Sequence, residues 1–155
     1  SRHDDHPAFG GFAPDPTRRR NRRFSGMSTA FCHLHVHSNF SLLAALPSPE
    51  ALAKRAAADG MAQVALTDAN ALYGAVTFSR ACKAANVAPI LGMTLTLAGE
   101  QAGALPEQVV LLAHSAVGWR SLYRLSSLIQ AVPTRDQRAR MGVSRDELAE
   151  HSAGL

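Results

Sequence analysis

Cysteine is scarce in this chain: Cys32 and Cys82 stand fifty positions apart with no C-x-x-C pair, which excludes a disulfide framework or a cysteine-built zinc site. They read as small buried thiols. Long apolar runs are missing too. Nothing approaches a membrane span, and the first residues lack the apolar core of a signal peptide, so a cytoplasmic protein without membrane contact is expected. Acidic and basic blocks are absent from most of the chain. The formal charge of +4 is concentrated in residues 1–26, where six arginines against three aspartates give +3, leaving +1 for the remainder. The basic balance therefore describes a tail and says little about a folded nucleic-acid surface.

What is present is 46% hydrophobic residues, much of it alanine, in 155 residues, enough for one α/β domain with a real core. Residues 1–26 are rich in Gly, Pro, Arg and His without periodicity and are expected to be a disordered basic tail. The cluster Arg18 to Arg23 could engage nucleic acid or an acidic partner. A solvated tail, or sequence ahead of a start at Met27, is the plainer reading. Residues 27–155 form the domain.

The chemistry-bearing stretch is Phe31-Cys32-His33-Leu34-His35-Val36-His37-Ser38. Strand alternation would put His33, His35 and His37 on one face and Cys32, Leu34 and Val36 on the other. Imidazoles at i and i+2 can share a zinc, manganese or iron ion, though carboxylates or further histidines must complete the site. The alternative is a polar strand face satisfied by hydrogen bonds.

Ser48-Pro49-Glu50 announces a helix with an apolar stripe of Leu52, Ala53, Ala56 and Ala57, ended by Gly60. Ala62 to Leu66 reads as a buried parallel strand, with Thr67-Asp68-Ala69-Asn70 at its end, where α/β proteins place their chemistry. Asp68 could be an acid at a site mouth or a turn-tying residue, and Asn70 a cross-site partner or a turn residue.

A helix over 73–85 should bury Phe78, Ala81, Cys82 and Ala85. Val87 to Leu91 reads as a third strand, Gly92 as a turn, and Met93 to Leu97 as a half-exposed strand. Val109 to Ala113 is expected as a buried strand and Val117 to Gln130 as a helix with Leu122, Leu125 and Ile129 inward. Ala131 to Val143 reads as a polar surface excursion, and Ser144-Arg145-Asp146-Glu147 as a capping box. Alternating strands and helices predict a parallel α/β architecture. Trp119 and Tyr123 beside Arg120 and Arg124 read as a partly buried helix edge or a nucleic-acid surface. His114, without a nearby carboxylate motif, reads as structural.

Taken together, His33-Leu34-His35-Val36-His37-Ser38, Phe40-Ser41-Leu42-Leu43, Ala65-Leu66-Thr67-Asp68, Leu72-Tyr73-Gly74-Ala75-Val76 and Pro89-Ile90-Leu91-Gly92 resemble one family. It is the PHP domain (polymerase and histidinol phosphatase) at the N-terminus of bacterial DNA polymerase III alpha subunits, the replicative branch of its polymerase class. The likeness continues through Leu111-Leu112-Ala113-His114, Gly118-Trp119 and the last residues.

The resemblance implies a distorted (β/α)7 TIM-like barrel with metals at the C-terminal strand ends. Because such barrels need about 200 residues or more, residues 27–155 are expected to supply the first half or so. It also implies a parent DNA-directed DNA polymerase, a nucleotidyltransferase using Mg2+, DNA and dNTPs, with partners among the parent's own domains and a proofreading exonuclease subunit. Active relatives carry a carboxylate where this chain has Ala44, a histidine at Ala69 and usually an acid at Thr94. Only His35 and His37 keep early ligand positions, so no catalytic residue and no bound metal are expected, and the domain reads as a scaffold or docking unit. The alternative is a metal-dependent PHP phosphoesterase, a 3′–5′ exonuclease or histidinol-phosphatase-like enzyme holding zinc or manganese.

Overall fold

The computed structural model describes residues 31–41, 44–99, 105–131 and 141–155. The expected basic tail, residues 1–26, lies outside the described residues.

Helix α1, Pro49–Ala58, starts where the sequence places it: Ser48 Oγ accepts from the Ala51 amide at 3.2 Å and proline occupies the first turn. Asp59 caps its end and Gly60 follows at φ 72, the left-handed geometry that glycine adopts without strain. Ala53 and Ala56 are buried, while Ala57 is exposed, so the apolar stripe is one residue narrower than expected.

Strand β1, Gln63–Leu66, is joined to strand β2, Ala88–Leu97, by helix α2, Ala75–Ala84. β1 and β2 pair in parallel, Gln63 opposite Ala88 through Leu66 opposite Leu91, which is the βαβ unit that a crossover helix permits. α2 begins two residues later than the expected 73, at Gly74 as N-cap. Phe78 and Cys82 turn inward to meet Ala53, Ala56, Val64, Leu66 and Val87 in a first core cluster. Burial pushes the Cys82 thiol up to about 11, making it an inert packing residue.

Gly92 is no turn. It lies inside β2, where a Cβ would run into the Leu111 carbonyl and crowd the Thr67 methyl. Glycine there permits close backbone approach rather than a change of direction. The expected half-exposed stretch Met93 to Leu97 is fully buried for the same reason: it is the second half of a central strand. Met93, Leu95 and Leu97 form a second cluster with Leu122, Leu125 and Ile129 of helix α3, Ala116–Gln130. Thr94 and Thr96, also buried, point to the other side.

Strand β3, Glu107–Leu112, pairs antiparallel with β2, Gly92 opposite Leu112 through Leu97 opposite Glu107. The expectation of a buried strand in an all-parallel sheet fails here. Residues 98–106 give a connection of nine positions, shorter than the dozen or more that a parallel crossover needs, and β3 is a partly exposed edge.

Helix α4, Arg145–Glu150, opens with the expected capping box of Ser144 and Glu147. The preceding stretch was expected to be a surface excursion; residues 132–140 lie outside the described residues, but its end is core. Val143 is fully buried, its amide donates to the Thr96 carbonyl, and its carbonyl accepts from the Ala98 amide, both at 2.9 Å. At the far end, Gly154 packs backbone to backbone on Gly118, and its carbonyl accepts from the His114 amide at 3.0 Å. The α/β class expected from the motifs therefore holds, as a partial barrel wall with helices against the parallel strands.

Candidate functional site

The histidine segment runs beside β1, but not as an uninterrupted strand. The Ala65 amide donates to the His33 carbonyl at 2.9 Å and the Thr67 amide to the Val36 carbonyl at 2.8 Å. The two acceptors are three residues apart, whereas a regular ladder would space them by two. One residue is therefore extra, a bulge with a bend at Leu34 and His35. Thr67 mends the interruption with its side chain: its hydroxyl accepts from the Val36 amide at 3.0 Å and donates to the Val36 carbonyl at 3.1 Å.

The bulge corrects the expected single face of three histidines. His33 leaves the group and sets its ring edge-on to Phe31, centroids 4.6 Å apart. His35 and His37 remain together with their Nε2 atoms 3.1 Å apart. All three rings line one cleft of about 510 Å3, together with Ala44, Arg55 and Asp59.

Thr94 closes the pair. Its Oγ1 lies 3.0 Å from His37 Nε2 and 3.2 Å from His35 Nε2, while its hydroxyl donates to the Thr67 carbonyl at 2.8 Å. With that proton committed, the oxygen can only accept, so the ring that bonds it carries an N–H there, while the 3.1 Å contact between the two Nε2 atoms pairs one N–H with one lone pair. Burial and the neighbouring His35 lower the His37 pKa, outweighing the upward pull of Asp68, which favours a neutral His37 ring.

Ala69 faces Thr94 across an isolated parallel bridge. The structure thus gathers His35, His37, Ala44, Ala69 and Thr94 around one mouth at the C-terminal ends of β1 and the bulged segment. Two nitrogens 3.1 Å apart could sit at roughly right angles on one cation with bonds of about 2.1 Å. The other positions around the mouth offer one hydroxyl and two methyl groups, which do not fit a multi-metal phosphoesterase centre. Among the described residues no three His, Cys, Asp or Glu side chains converge as a metal-holding group.

Immediately beneath lies a different arrangement. Asp68, 2% exposed, accepts from the Ser38 amide at 2.6 Å, Ser38 Oγ at 2.7 Å and Ser41 Oγ at 2.7 Å. Ser41 Oγ in turn accepts from the Ala69 amide at 3.0 Å. Asp68 is thus the anchor of the loop after the histidines, the turn-tying role weighed for it. Asn70 stands at φ 54. It grips β2 through Thr96, donating to Oγ1 at 2.9 Å and accepting from the amide at 2.8 Å, while its carbonyl accepts from Gln130 Nε2 at 3.0 Å.

Sequence reasoning gave no role to Ser38, Ser41, Thr67 or Thr96. The one available signal was two serines three apart directly after a histidine run, facing an Asp that follows a strand. His114 is exposed in the loop before α3; Trp119 packs on the second cluster and Tyr123 is exposed, forming the expected helix edge.

The chain is 39% identical over 102 residues to the DNA polymerase III subunit alpha of Bacillus subtilis, a match covering 66% of this chain and 9% of that protein. It is 32% identical over 135 residues to the same subunit of Borreliella burgdorferi, covering 81% of this chain and 11% of that protein. This chain accordingly spans about a tenth of the length of those relatives. Among solved structures, an amidohydrolase from Chromobacterium violaceum superposes with a TM-score of 0.47 at 23% identity, covering 80% of this chain and 51% of that one. No helix among the described residues is long and apolar enough to cross a membrane. The PHP domain family matches residues 33–155, which takes in the bulged histidine segment, the Asp68 anchor and both core clusters, and this chain belongs to that family.

Proposed function

We propose that this chain is the PHP domain of a bacterial replicative polymerase of the DNA polymerase III alpha type, acting as scaffold and docking unit, with its metal site reduced to the remnant pair His35 and His37. The observation that carries this reading is Thr94. Where a carboxylate would complete a cation site, a threonine hydroxyl stands within 3.2 Å of both ring nitrogens and spends its proton on a backbone carbonyl. A cation would need both Nε2 lone pairs free of protons and further anionic ligands, and Ala44 and Ala69 offer none. The similarity to polymerase alpha subunits over most of the chain supports the parent's identity.

On this reading, nucleotidyl transfer from dNTPs onto a DNA primer, assisted by Mg2+, belongs to other domains of a cytoplasmic parent enzyme. This domain packs against those domains and holds a separate proofreading exonuclease subunit.

Metal analysis by mass spectrometry, on the parent polymerase purified without chelator, tests the site. Substoichiometric zinc and manganese, unchanged by the His35→Ala, His37→Ala double variant, is the expected result. Chelator-sensitive hydrolysis of DNA 3′ ends that disappears in His35→Ala would instead establish the phosphoesterase alternative. Co-purification of the exonuclease subunit with the parent tests docking, and its failure to bind the complete domain would remove that role.

A further inference from the structure

Away from the histidine cleft, and sharing no residue with it, a groove of about 280 Å3 opens between α2 and α3. Leu91 of β2 contributes to its lining with Ala75, Val76, Ser79 and Arg80 of α2 and Trp119 of α3. Its apolar surroundings are uncovered: Val76 is 58% exposed, and Tyr123, one turn from Trp119 on the same face of α3, is 64% exposed. Helix faces turned to solvent ordinarily carry polar residues at such positions.

The charge around the groove is of one sign. Residues 69–99 and 108–135 contain no aspartate or glutamate. α2 carries Arg80 and Lys83 and α3 carries Arg120 and Arg124, all exposed, and none of the four pairs with a described acid. The two helices hold +4, while residues 27–155 as a whole carry only +1, so the rest of that span is net negative. Such segregation produces a local positive field that steers an anionic partner to this face.

We infer that the α2–α3 groove docks an acidic segment of a partner polypeptide that inserts one aliphatic or aromatic side chain over Leu91 and Val76 and sets its carboxylates against Arg80, Arg120 and Arg124. A nucleic-acid strand fits less well. Base stacking along a strand needs several free aromatic faces, and the Trp119 ring is engaged with the second core cluster, which leaves exposed Tyr123 alone beside a lining that is otherwise aliphatic apart from Ser79 and Arg80. An apolar anchor ringed by charge is the arrangement of a helix-in-groove contact.

Trp119 is the only tryptophan of the chain, so its emission reports the groove directly. The full chain is titrated with three probes: an amphipathic peptide of Glu, Leu and Phe, its counterpart with Lys for Glu, and an oligo-dT strand. The expected result is a saturable change in Trp119 emission with the acidic peptide alone. Its affinity falls roughly tenfold in Arg80→Glu and in Val76→Glu, a loss of the size expected for reversing a rim charge or burying one. Lys54→Glu, an exposed reversal on α1, leaves it unchanged, and far-UV circular dichroism verifies that each variant is folded. Equal binding of both peptides, absence of saturable binding, or indifference to Arg80→Glu overturns the proposal. Binding of oligo-dT without the acidic peptide overturns it in favour of a nucleic-acid surface.

Discussion

Asp68 and Thr94 are joined by a backbone hydrogen bond, the Thr94 amide to the Asp68 carbonyl at 3.1 Å, yet their side chains serve two regions built on different terms. Around Asp68 a buried carboxylate meets three donors from Ser38 and Ser41. Around Thr94 two imidazole nitrogens and a hydroxyl lie within 3.2 Å of one another beside alanine methyls. The first region cannot change without leaving buried donors unpaired. The second holds no buried carboxylate that must stay paired. The support is therefore the more sensitive of the two to substitution.

The predictions test that separation. Asp68→Ala should do the most damage, on the order of 3 kcal/mol or more, because it strands the Ser38 and Ser41 donors in the interior; urea unfolding followed by circular dichroism measures it. A loss below about 1 kcal/mol would mean that the support is dispensable and the contrast false. Leu122→Ala, at a fully buried position of the second cluster, should cost about 3 kcal/mol through the cavity it leaves, a benchmark from a region with no polar role, measured in the same way. Gly118→Ala should cost about 1 to 3 kcal/mol, since the new methyl meets the Gly154 carbonyl backbone, which cannot swing aside as a side chain could; the shift in thermal midpoint reports it.

At the mouth, metal chemistry is the response to measure. Restoring carboxylates and imidazole together, as Ala44→Asp, Ala69→His and Thr94→Glu, should raise manganese or zinc affinity by about tenfold or more, given that even outer-shell partners of a metal site are worth that much. Isothermal titration of the triple variant against the unaltered chain measures it, and equal affinities would show that the mouth is misshapen as well as short of ligands.

The smallest effect concerns pH. The folded-state pKa of His37 lies below its ordinary value, so the unfolded chain binds more protons and stability rises with pH through that interval. The contribution is complete above the ordinary histidine range and is lost as pH falls toward the folded-state value. His37→Gln should flatten this slope in unfolding curves taken across mildly acidic pH.

Much of this was legible beforehand, and for definable reasons. α1 and α4 carry their start signals in the residues themselves, Ser48-Pro49 and Ser144 with Glu147, because caps are local chemistry. The pairing of His35 with His37 was readable from spacing. What escaped depends on residues far apart in sequence. Gly92 signals a turn in isolation and close strand approach only once Leu111 and Thr67 are beside it. His33 belongs by alternation with the other two histidines, and is removed by a bulge that only pairing with β1 reveals. Val143, in a polar arginine-rich stretch, becomes core because the end of β2 needs a partner there.

That last contact bears on the order in which the chain can assemble. The first half of β2 finds β1 only one helix upstream, and that βαβ unit can close as soon as Leu91 has been made. The second half must wait for β3, and its end for Val143, forty-six positions beyond Leu97. Chain order separates the two events in time, because α3, whose Leu122, Leu125 and Ile129 cover this half of the strand, is made only after β3. For that interval Met93, Leu95 and Leu97 lie uncovered on a strand already half fixed, the condition in which a nascent chain is most open to capture by a chaperone or by another copy of itself.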